Sequence, residues 1–448
     1  MTTHALHTDL YQLTMLASYF HQRQHEERAV CEMFVRRLPK SRRFLVAAGL
    51  QRALQYLRTL RFTDSQVEAL REVPHLKKAM TPDFVEYLRA FRFTGDVWAM
   101  PEGTLAFENE PLLRVEAPLG EAQLVETYLL STLNHATMIA SKAARVVLAL
   151  GGRPALEFGT RRTHPEAAVD VARAAYIAGF EASSNVEAFE RFGVPTRGTM
   201  AHMYIMASSS EREAFQHYGS LFPRSTYLVD TYDTVEGVKV ALDAMGEGVT
   251  GVRLDSGDLA TLSREVRALL KARGRSDVQI VLSSDLDEYE IVKLIQEGDF
   301  DVAGVGTRVA TSDDAPALGG VYKLVQIGSR PVAKFSADKV TYPGAHQVYR
   351  HEKGGLLAFD TLGMVDEASY EVLEAKPLLV PAMKAGKPVL EDDLARARVR
   401  CRDELAKLPP ALRVIERSNS HEHFYEVRPS EQLTRLLQSL KQARQEAP

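Results

Sequence analysis

The stretch "GVRLDSGDL", Gly251 to Leu259, ends a short apolar run in Arg253, Asp255, Ser256, Gly257 and Asp258. One guanidinium and two carboxylates gather around a glycine where a strand turns into a helix. Other apolar runs end in a similar way: in Phe158, Thr160, Arg161 and Arg162; in Thr199 and His202; in Asp230 and Asp233; in Ser284 and Asp285; and in Gly306, Thr307 and Arg308. Arginines suit phosphates and carboxylates, because the planar fork gives bidentate hydrogen bonds. Aspartates at neighbouring strand ends suit Mg²⁺ or ribose hydroxyls. "GVGT", Gly304 to Thr307, offers backbone N–H groups with no side chain in the way, which suits phosphate. The combined demand is a phosphorylated sugar with a second anionic group nearby. Each feature alone has a structural explanation. Asp258 and Asp285 stand where helix N-caps stand, a His at a strand end is commonly satisfied by packing, and a polar strand end is commonly a surface loop. The repetition carries the chemical reading, since ordinary packing does not require Arg, His and Asp to alternate over several strand ends.

Those ends need strands to hold them. Strand-like runs fall at 153–161, 197–205, 225–231, 251–257, 278–285, 302–307 and 320–327, with helical segments between most of them. Val235, Val238, Leu242 and Met245 follow 3-4-3 spacing, as do Leu259, Leu262, Val266 and Leu269, which puts four apolar side chains on one helical face. Strands flanked by amphipathic helices imply a parallel sheet with helices packed outside. About seven such units predict a closed or nearly closed α/β barrel, with its chemistry at the C-terminal ends of the strands. The flanking segments read differently. Residues 1–120 mix helices with strand-like runs, residues 121–150 form one long helix candidate, strand-like pieces return after 330, and the last 55 residues are helical and charged. The expected domains are an α+β domain over 1–120 completed by about 330–390, the barrel over 121–329, and a helical C-terminal extension over 391–448.

Composition narrows the partners. The chain has 448 residues, 45% of them hydrophobic and 25% charged, which is ample for a globular core. A formal net charge of −4 gives no reason to propose nucleic acid or an acidic membrane surface. Cys31 and Cys401 are the only cysteines, which excludes a disulfide framework and a Cys-rich zinc site. No run approaches the ~18 apolar residues of a membrane span, and the first twenty residues do not look like a signal peptide. A reducing cytoplasm is the expected compartment.

The order of the motifs is specific. "TDLYQLTM" (8–15), "EFGTRRTH" (157–164), "SSNVEAFERFGVPTRGTMAH" (183–202), "VDTYDT" (229–234), "VRLDSGDL" (252–259), "SSDLDE" (283–288) and "GVGTRVATS" (304–312) resemble, in that order, the nicotinate phosphoribosyltransferases. The resemblance runs from about residue 8 to 350. It implies the type II phosphoribosyltransferase fold, an irregular, TIM-like α/β barrel plus an α/β sandwich domain built from both chain ends. It also implies formation of nicotinate mononucleotide and diphosphate from nicotinate and 5-phosphoribosyl 1-diphosphate, with ATP hydrolysis coupled through a phosphohistidine and with Mg²⁺. Carried over by motif, His202 would accept the γ-phosphoryl group and Thr199 would lie near the nicotinate. Arg253 would face its carboxylate, with Ser184 beside the pyridine substituent, and Asp230 and Asp255 would serve the ribose or its Mg²⁺. Ser284, Asp285, Gly306 and Thr307 would hold the 5′-phosphate and Arg161 the diphosphate, with Lys323 and Lys334 as further phosphate candidates. Phe158 and Tyr11 match an aromatic pair that sandwiches the pyridine ring. In the family that Tyr comes from the neighbouring subunit, so a homodimer with shared active sites is implied.

One departure is visible. Some relatives carry a four-cysteine zinc knuckle near the C-terminus, whereas this chain has only Cys401 there, so no zinc is expected. His421 and His423, at i and i+2, do not share a helical face and read as solvated. The nearest rival activities are nicotinamide and quinolinate phosphoribosyl transfer. Quinolinate, with two carboxylates, calls for a more basic pocket and has no use for a phosphohistidine. A Mg²⁺-dependent barrel aldolase on Asp230 and Asp255 is the rival of another class, and it predicts no ATPase. A catalytically dead ligand-binding relative is disfavoured by the intact "GTMAH".

Overall fold

The computed structural model describes residues 4–335, 341–367, 375–417 and 424–446. His421 and His423 lie outside the described residues. The chain forms two compact units: Met1–Met138 with Ala317–Leu412 and Ser420–Pro448, and Ile139–Pro316 with Arg413–Asn419. These divisions fall at other positions than the boundaries at 120, 329 and 390 drawn from the sequence.

The unit around residues 139–316 is the α/β barrel. Its strands are β1 (Ala155–Glu157), β2 (Ala182–Ser183), β3 (Ser225–Leu228), β4 (Val249–Leu254), β5 (Gln279–Ser284) and β6 (Val302–Val305). They pair in parallel in the order β2-β1-β6-β5-β4-β3. Read as a ring, each neighbour pair is bonded except β2 with β3. Residues 197–205 are expected from the sequence to be a strand here. Only the start of this segment pairs: Thr196 bridges Ser183, and the Arg197 N–H donates to the Ser183 carbonyl at 3.0 Å. Beyond it the chain leaves the ladder and forms the short helix His202–Met206. The reason is local. Arg197, Gly198 and Ala201 are exposed, and of residues 197–201 only Met200 is buried, so no apolar face exists to hold the run in a sheet.

The helices Pro165–Ile177, Thr234–Met245, Leu259–Ala272 and Glu288–Glu297 alternate with the strands. The buried line of Thr234–Met245 passes through Gly237, Val238, Ala241 and Leu242, so Val235 and Met245 of the predicted stripe sit at its margin. A Cβ on Gly237 would meet the Val229 carbonyl oxygen at 2.1 Å. Helix and strand therefore touch through small residues, and the large ones flank the contact. The same shift occurs in Leu259–Ala272, where Leu259, Ser263, Val266 and Leu270 are buried.

The other unit carries three antiparallel-rich sheets among its described residues. The largest joins Arg28–Val35, Pro111–Pro118, Asp96–Ala99 and Val380–Lys384 with Gly320–Ile327, which pairs antiparallel to Arg28–Val35. The run 320–327 is thus a strand, as expected, but not a barrel strand: no crossover helix longer than Thr307–Ala310 precedes it to return it in parallel. Leu57, Phe84, Leu113 and Val115 are among the core residues beneath this sheet. Residues expected as a helical extension build into this unit. Val427–Pro429 adds a parallel strand to Leu356–Met364. Glu404 of the helix Leu394–Lys407 accepts from Arg350 Nη1 at 2.6 Å, and the Tyr425 hydroxyl donates to Asp360 at 2.8 Å. Cys401 is buried in that helix, and burial pushes its thiol up to about 12. No helix among the described residues is long and apolar enough to cross a membrane.

Candidate active site

The strand ends of the barrel meet in two bonded groups. The first spans β3, β4 and β5. Asp230 follows β3, and its side chain is 1% exposed. One carboxylate oxygen accepts from the Asp255 backbone N–H at 2.8 Å and from the Ser256 hydroxyl at 2.7 Å. The other lies 3.2 Å from His202 Nε2. Gly257, at φ +81, lets the chain turn immediately after Ser256. Asp255 accepts from the Ser283 hydroxyl at 2.5 Å and lies 3.3 Å from Arg253 Nη2. Arg253 Nη1 donates to the Thr199 hydroxyl at 2.5 Å. His202, Asp230, Asp255, Arg253 and Thr199 therefore form one connected set. Arg253 Nε is buried and finds no partner among the described residues, which ordinarily costs about 1–3 kcal/mol and favours a ligand that accepts its hydrogen.

The second group spans β1, β2 and β6. Glu157 is fully buried; it accepts from the Gly159 N–H and from the Ser183 hydroxyl at 2.5 Å. Burial pushes its carboxyl up, and the Ser183 and Gly159 bonds oppose this. The Ser184 N–H donates to the Glu157 carbonyl at 2.9 Å. The Phe158 ring occupies the place a Gly304 side chain would take: a Cβ there would meet it at 2.5 Å. A Cβ on Gly306 would lie 3.0 Å from the Phe158 carbonyl oxygen. The glycines of "GVGT" thus admit the Phe158 strand end as well as leaving backbone N–H groups bare.

Between the groups, β5 ends in Ser284 at φ +139, a conformation that strains a non-glycine residue. Asp285 follows, exposed, while Gly306 and Thr307 follow the neighbouring β6. The cap assignments separate the two aspartates. Asp258 accepts from the Thr261 N–H and caps its helix, but the cap after β5 is Asp287, not Asp285. Asp233 is likewise a cap. Ser184 is not: Asn185 caps the helix Val186–Phe192, and Ser184 is exposed. Arg161 is exposed on the turn Thr160–Arg162 and joins neither group. Tyr11, Lys323 and Lys334 belong to the other unit. There Tyr11 is 48% exposed, Lys334 is exposed, and Lys323 Nζ donates to the Tyr322 carbonyl. Sequence reasoning missed Glu157, Ser183, Ser256 and Ser283. All four sit inside the motifs quoted above, with Glu157, Ser183 and Ser283 each the first residue of its motif, but none was given a role.

Comparison with known proteins agrees over most of the chain. Residues 6–134 match the nicotinate phosphoribosyltransferase (NAPRTase) N-terminal domain, and residues 139–315 match the quinolinate phosphoribosyl transferase C-terminal domain. The nicotinate phosphoribosyltransferase pncB2 of Mycobacterium tuberculosis (strain H37Rv) is 43% identical over 421 residues, 92% of this chain and 89% of that protein. The nicotinate phosphoribosyltransferase of Bacillus subtilis (strain 168) is 45% identical over 376 residues, 79% of this chain and 76% of that protein. The crystal structure of human nicotinic acid phosphoribosyltransferase superposes with a TM-score of 0.85 at 30% identity, covering 97% of this chain and 99% of that one.

Proposed function

The chain belongs to the nicotinate phosphoribosyltransferase family, and from that premise we propose that it couples phosphoribosyl transfer to ATP through His202, as a cytoplasmic homodimer with shared sites. It is an enzyme of NAD biosynthesis that transfers a phosphoribosyl group to nicotinate. The observation that carries the substrate reading is Arg253 Nε, buried and without a partner among the described residues. A carboxylate on the pyridine ring accepts from that nitrogen, while Thr199 and Asp255 hold the other end of the guanidinium. One arginine in this position suits the single carboxylate of nicotinate better than the two of quinolinate.

In the transfer the C1′–oxygen bond to diphosphate breaks and a C1′–nitrogen bond forms. Positive charge develops on the ribose, which the Asp255 carboxylate stabilises. Arg161, on its exposed turn, draws in the leaving diphosphate. Nicotinate is a weak nucleophile at its ring nitrogen, so Phe158 below the ring and Arg253 at its carboxylate supply alignment. Ser284, Asp285, Gly306 and Thr307 take the 5′-phosphate, with Lys323 and Lys334 as further candidates for the phosphates. Among the described residues no three His, Cys, Asp or Glu side chains converge as a metal cage. Asp255 and Asp230 fit instead a Mg²⁺ carried mainly by the substrate's phosphates, the usual arrangement for that ion. When bound, it would neutralise charge on the diphosphate.

His202 acts apart from the pyridine. With Nε2 directed at Asp230, Nδ1 is the nitrogen left to attack the γ-phosphorus of ATP; the N–P bond forms as the bond to ADP breaks. Water later takes the phosphoryl group. The same Asp230 holds the Asp255–Ser256 turn, so phosphorylation changes the affinity of the sugar site through differential binding of two states. Mononucleotide formation from nicotinate and from nicotinamide, each with and without ATP, tests the reading. Preference for the acid and stimulation by ATP support it, while an ATP-indifferent enzyme overturns the coupling.

Acid against amide also turns on Ser184. It carries no charge, stands exposed at the end of β2 and is not used as a cap. Ser184→Asp should raise KM for nicotinate by a like-charge penalty of about 1–3 kcal/mol, with nicotinamide use improved or unchanged. Steady-state kinetics on both substrates check it. An unaltered preference would assign the discrimination to Arg253 alone.

A further inference from the structure

The barrel unit buries a charged cluster that the transfer chemistry leaves unused. Lys142 lies in the helix Glu126–Leu150 with its side chain 1% exposed. Its ammonium is 2.6 Å from Glu288, 3.0 Å from Asp314 and 3.4 Å from Asp313. Arg145, on the same helix, donates to Glu288 at 2.9 Å and to the Tyr289 hydroxyl at 3.1 Å. Glu288 opens the helix that follows Ser284 and Asp285. Asp313 and Asp314 follow the helix Thr307–Ala310, and Asp313 also accepts from Arg308 at 2.7 Å. The segments that follow β5 and β6 are therefore tied together by one ammonium.

Packing alone does not call for this. Bringing two ions out of water costs several kcal/mol each, and apolar side chains of the same volume commonly serve stability as well or better. Burial by itself would favour a neutral Lys142, but the carboxylates of Glu288 and Asp314 outweigh it and keep the ammonium charged. What a charged centre adds is direction and distance. Three carboxylates, one on the first turn of the helix after β5 and two on the segment after Thr307–Ala310, must converge on one point, which sets the separation of the chain segments that follow β5 and β6. A phosphate that accepts hydrogen bonds from both segments is sensitive to that separation, since a displacement of about 1 Å can cost on the order of a hundredfold in a positioned site.

We propose that Lys142 is a positioning residue, which holds the 284–287 loop and the Gly306–Arg308 helix start at the spacing required by the 5′-phosphate of the phosphoribosyl substrate. This rests on the reading that Ser284, Asp285, Gly306 and Thr307 bind that phosphate. The test is steady-state kinetics of full-length Lys142→Met/Asp314→Asn, which removes one charge of each sign, beside Lys142→Arg and Thr307→Val. The double variant should raise KM for 5-phosphoribosyl 1-diphosphate about tenfold, with kcat and KM for nicotinate changed less than about threefold. Lys142→Arg should recover most of the loss. Asp314→Asn alone, which keeps the Lys142–Glu288 contact, should give a rise of about threefold in the same KM, and it decides the matter if the double variant does not fold. An unchanged KM for the phosphoribosyl substrate in the folded variants overturns the proposal, as does an equal rise in both KM values, the mark of general loosening. If Thr307→Val raises that KM and the Lys142 variants do not, the proposal fails alone. If Thr307→Val also has no effect, the reading of the phosphate loops fails with it.

Discussion

His202→Ala is expected to abolish ATP hydrolysis and the stimulation of transfer by ATP. A slow, ATP-independent transfer should remain. The division follows from the bonds of Asp230. One of its oxygens meets His202 Nε2 at 3.2 Å, and the other is held by the Asp255 N–H and the Ser256 hydroxyl. On the proposed mechanism, removing the imidazole takes away the nucleophile but leaves the second oxygen to hold the turn that carries Asp255. Loss of a nucleophile that acts in one step removes nearly all of that step, whereas the sugar site loses only its coupling. Radiolabelled γ-phosphate should appear on the wild type as an acid-labile, base-stable adduct, and not on the variant. Normal ATPase in His202→Ala would sink the assignment. So would loss of ATPase and of basal transfer together, because His202 would then belong to the transfer machinery itself.

The barrel was legible in the sequence where hydrophobic burial alone specifies the element. Runs such as "VQIVLSS" are buried on both faces and flanked by periodic helices, and that pattern admits few folds. It fails where another force takes the backbone. Residues 197–201 look strand-like by composition, yet only Met200 is buried there, and Thr199 turns its hydroxyl to Arg253. A contact between positions 54 apart leaves no local trace. The helix faces slip for a related reason: hydropathy marks Val235 and Met245, but close approach selects Gly237 and Ala241, which scales of hydrophobicity underrate. Individual polar residues are harder still. Asp258 and Asp285 look alike in sequence, and only the position of the helix start makes Asp258 a cap and leaves Asp285 without that role. Arg253 and His202 stood out because they close apolar runs, and the structure brings both into the Asp230–Asp255 set. Glu157 opens "EFGTRRTH", but its bonds to Gly159 and Ser183 leave no trace in the spacing, so no role was read from it.

Mixing two inactive chains should restore activity. Tyr11→Ala and Asp255→Ala are each expected to be inactive, the first for want of the aromatic partner of Phe158 and the second for want of a carboxylate at the sugar. If Tyr11 completes the site of the partner subunit, a hybrid dimer holds one site in which both residues are intact and one in which neither is. At equal mixing with free exchange, half of the dimers are hybrids, so about a quarter of wild-type activity should return. Two exposed apolar surfaces motivate the arrangement. On the helix Leu10–His21, Leu10, Tyr11 and Met15 are 42%, 48% and 36% exposed. In the barrel unit, Val186, Phe189, Met203 and Met206 are between 56% and 79% exposed, on the helices that follow β2. Clustered apolar exposure of this kind commonly marks an interface, and these residues flank Ser184 and His202 in sequence. The alternative is a site complete within one chain, with Tyr11 an incidental surface residue. In that case Tyr11→Ala keeps its activity, or loses it without rescue by Asp255→Ala. Subunit exchange must be verified by mass or by differently tagged chains before the activity is read. With exchange verified, a return of about a quarter assigns Tyr11 to the partner's site, and no return confines the site to a single chain.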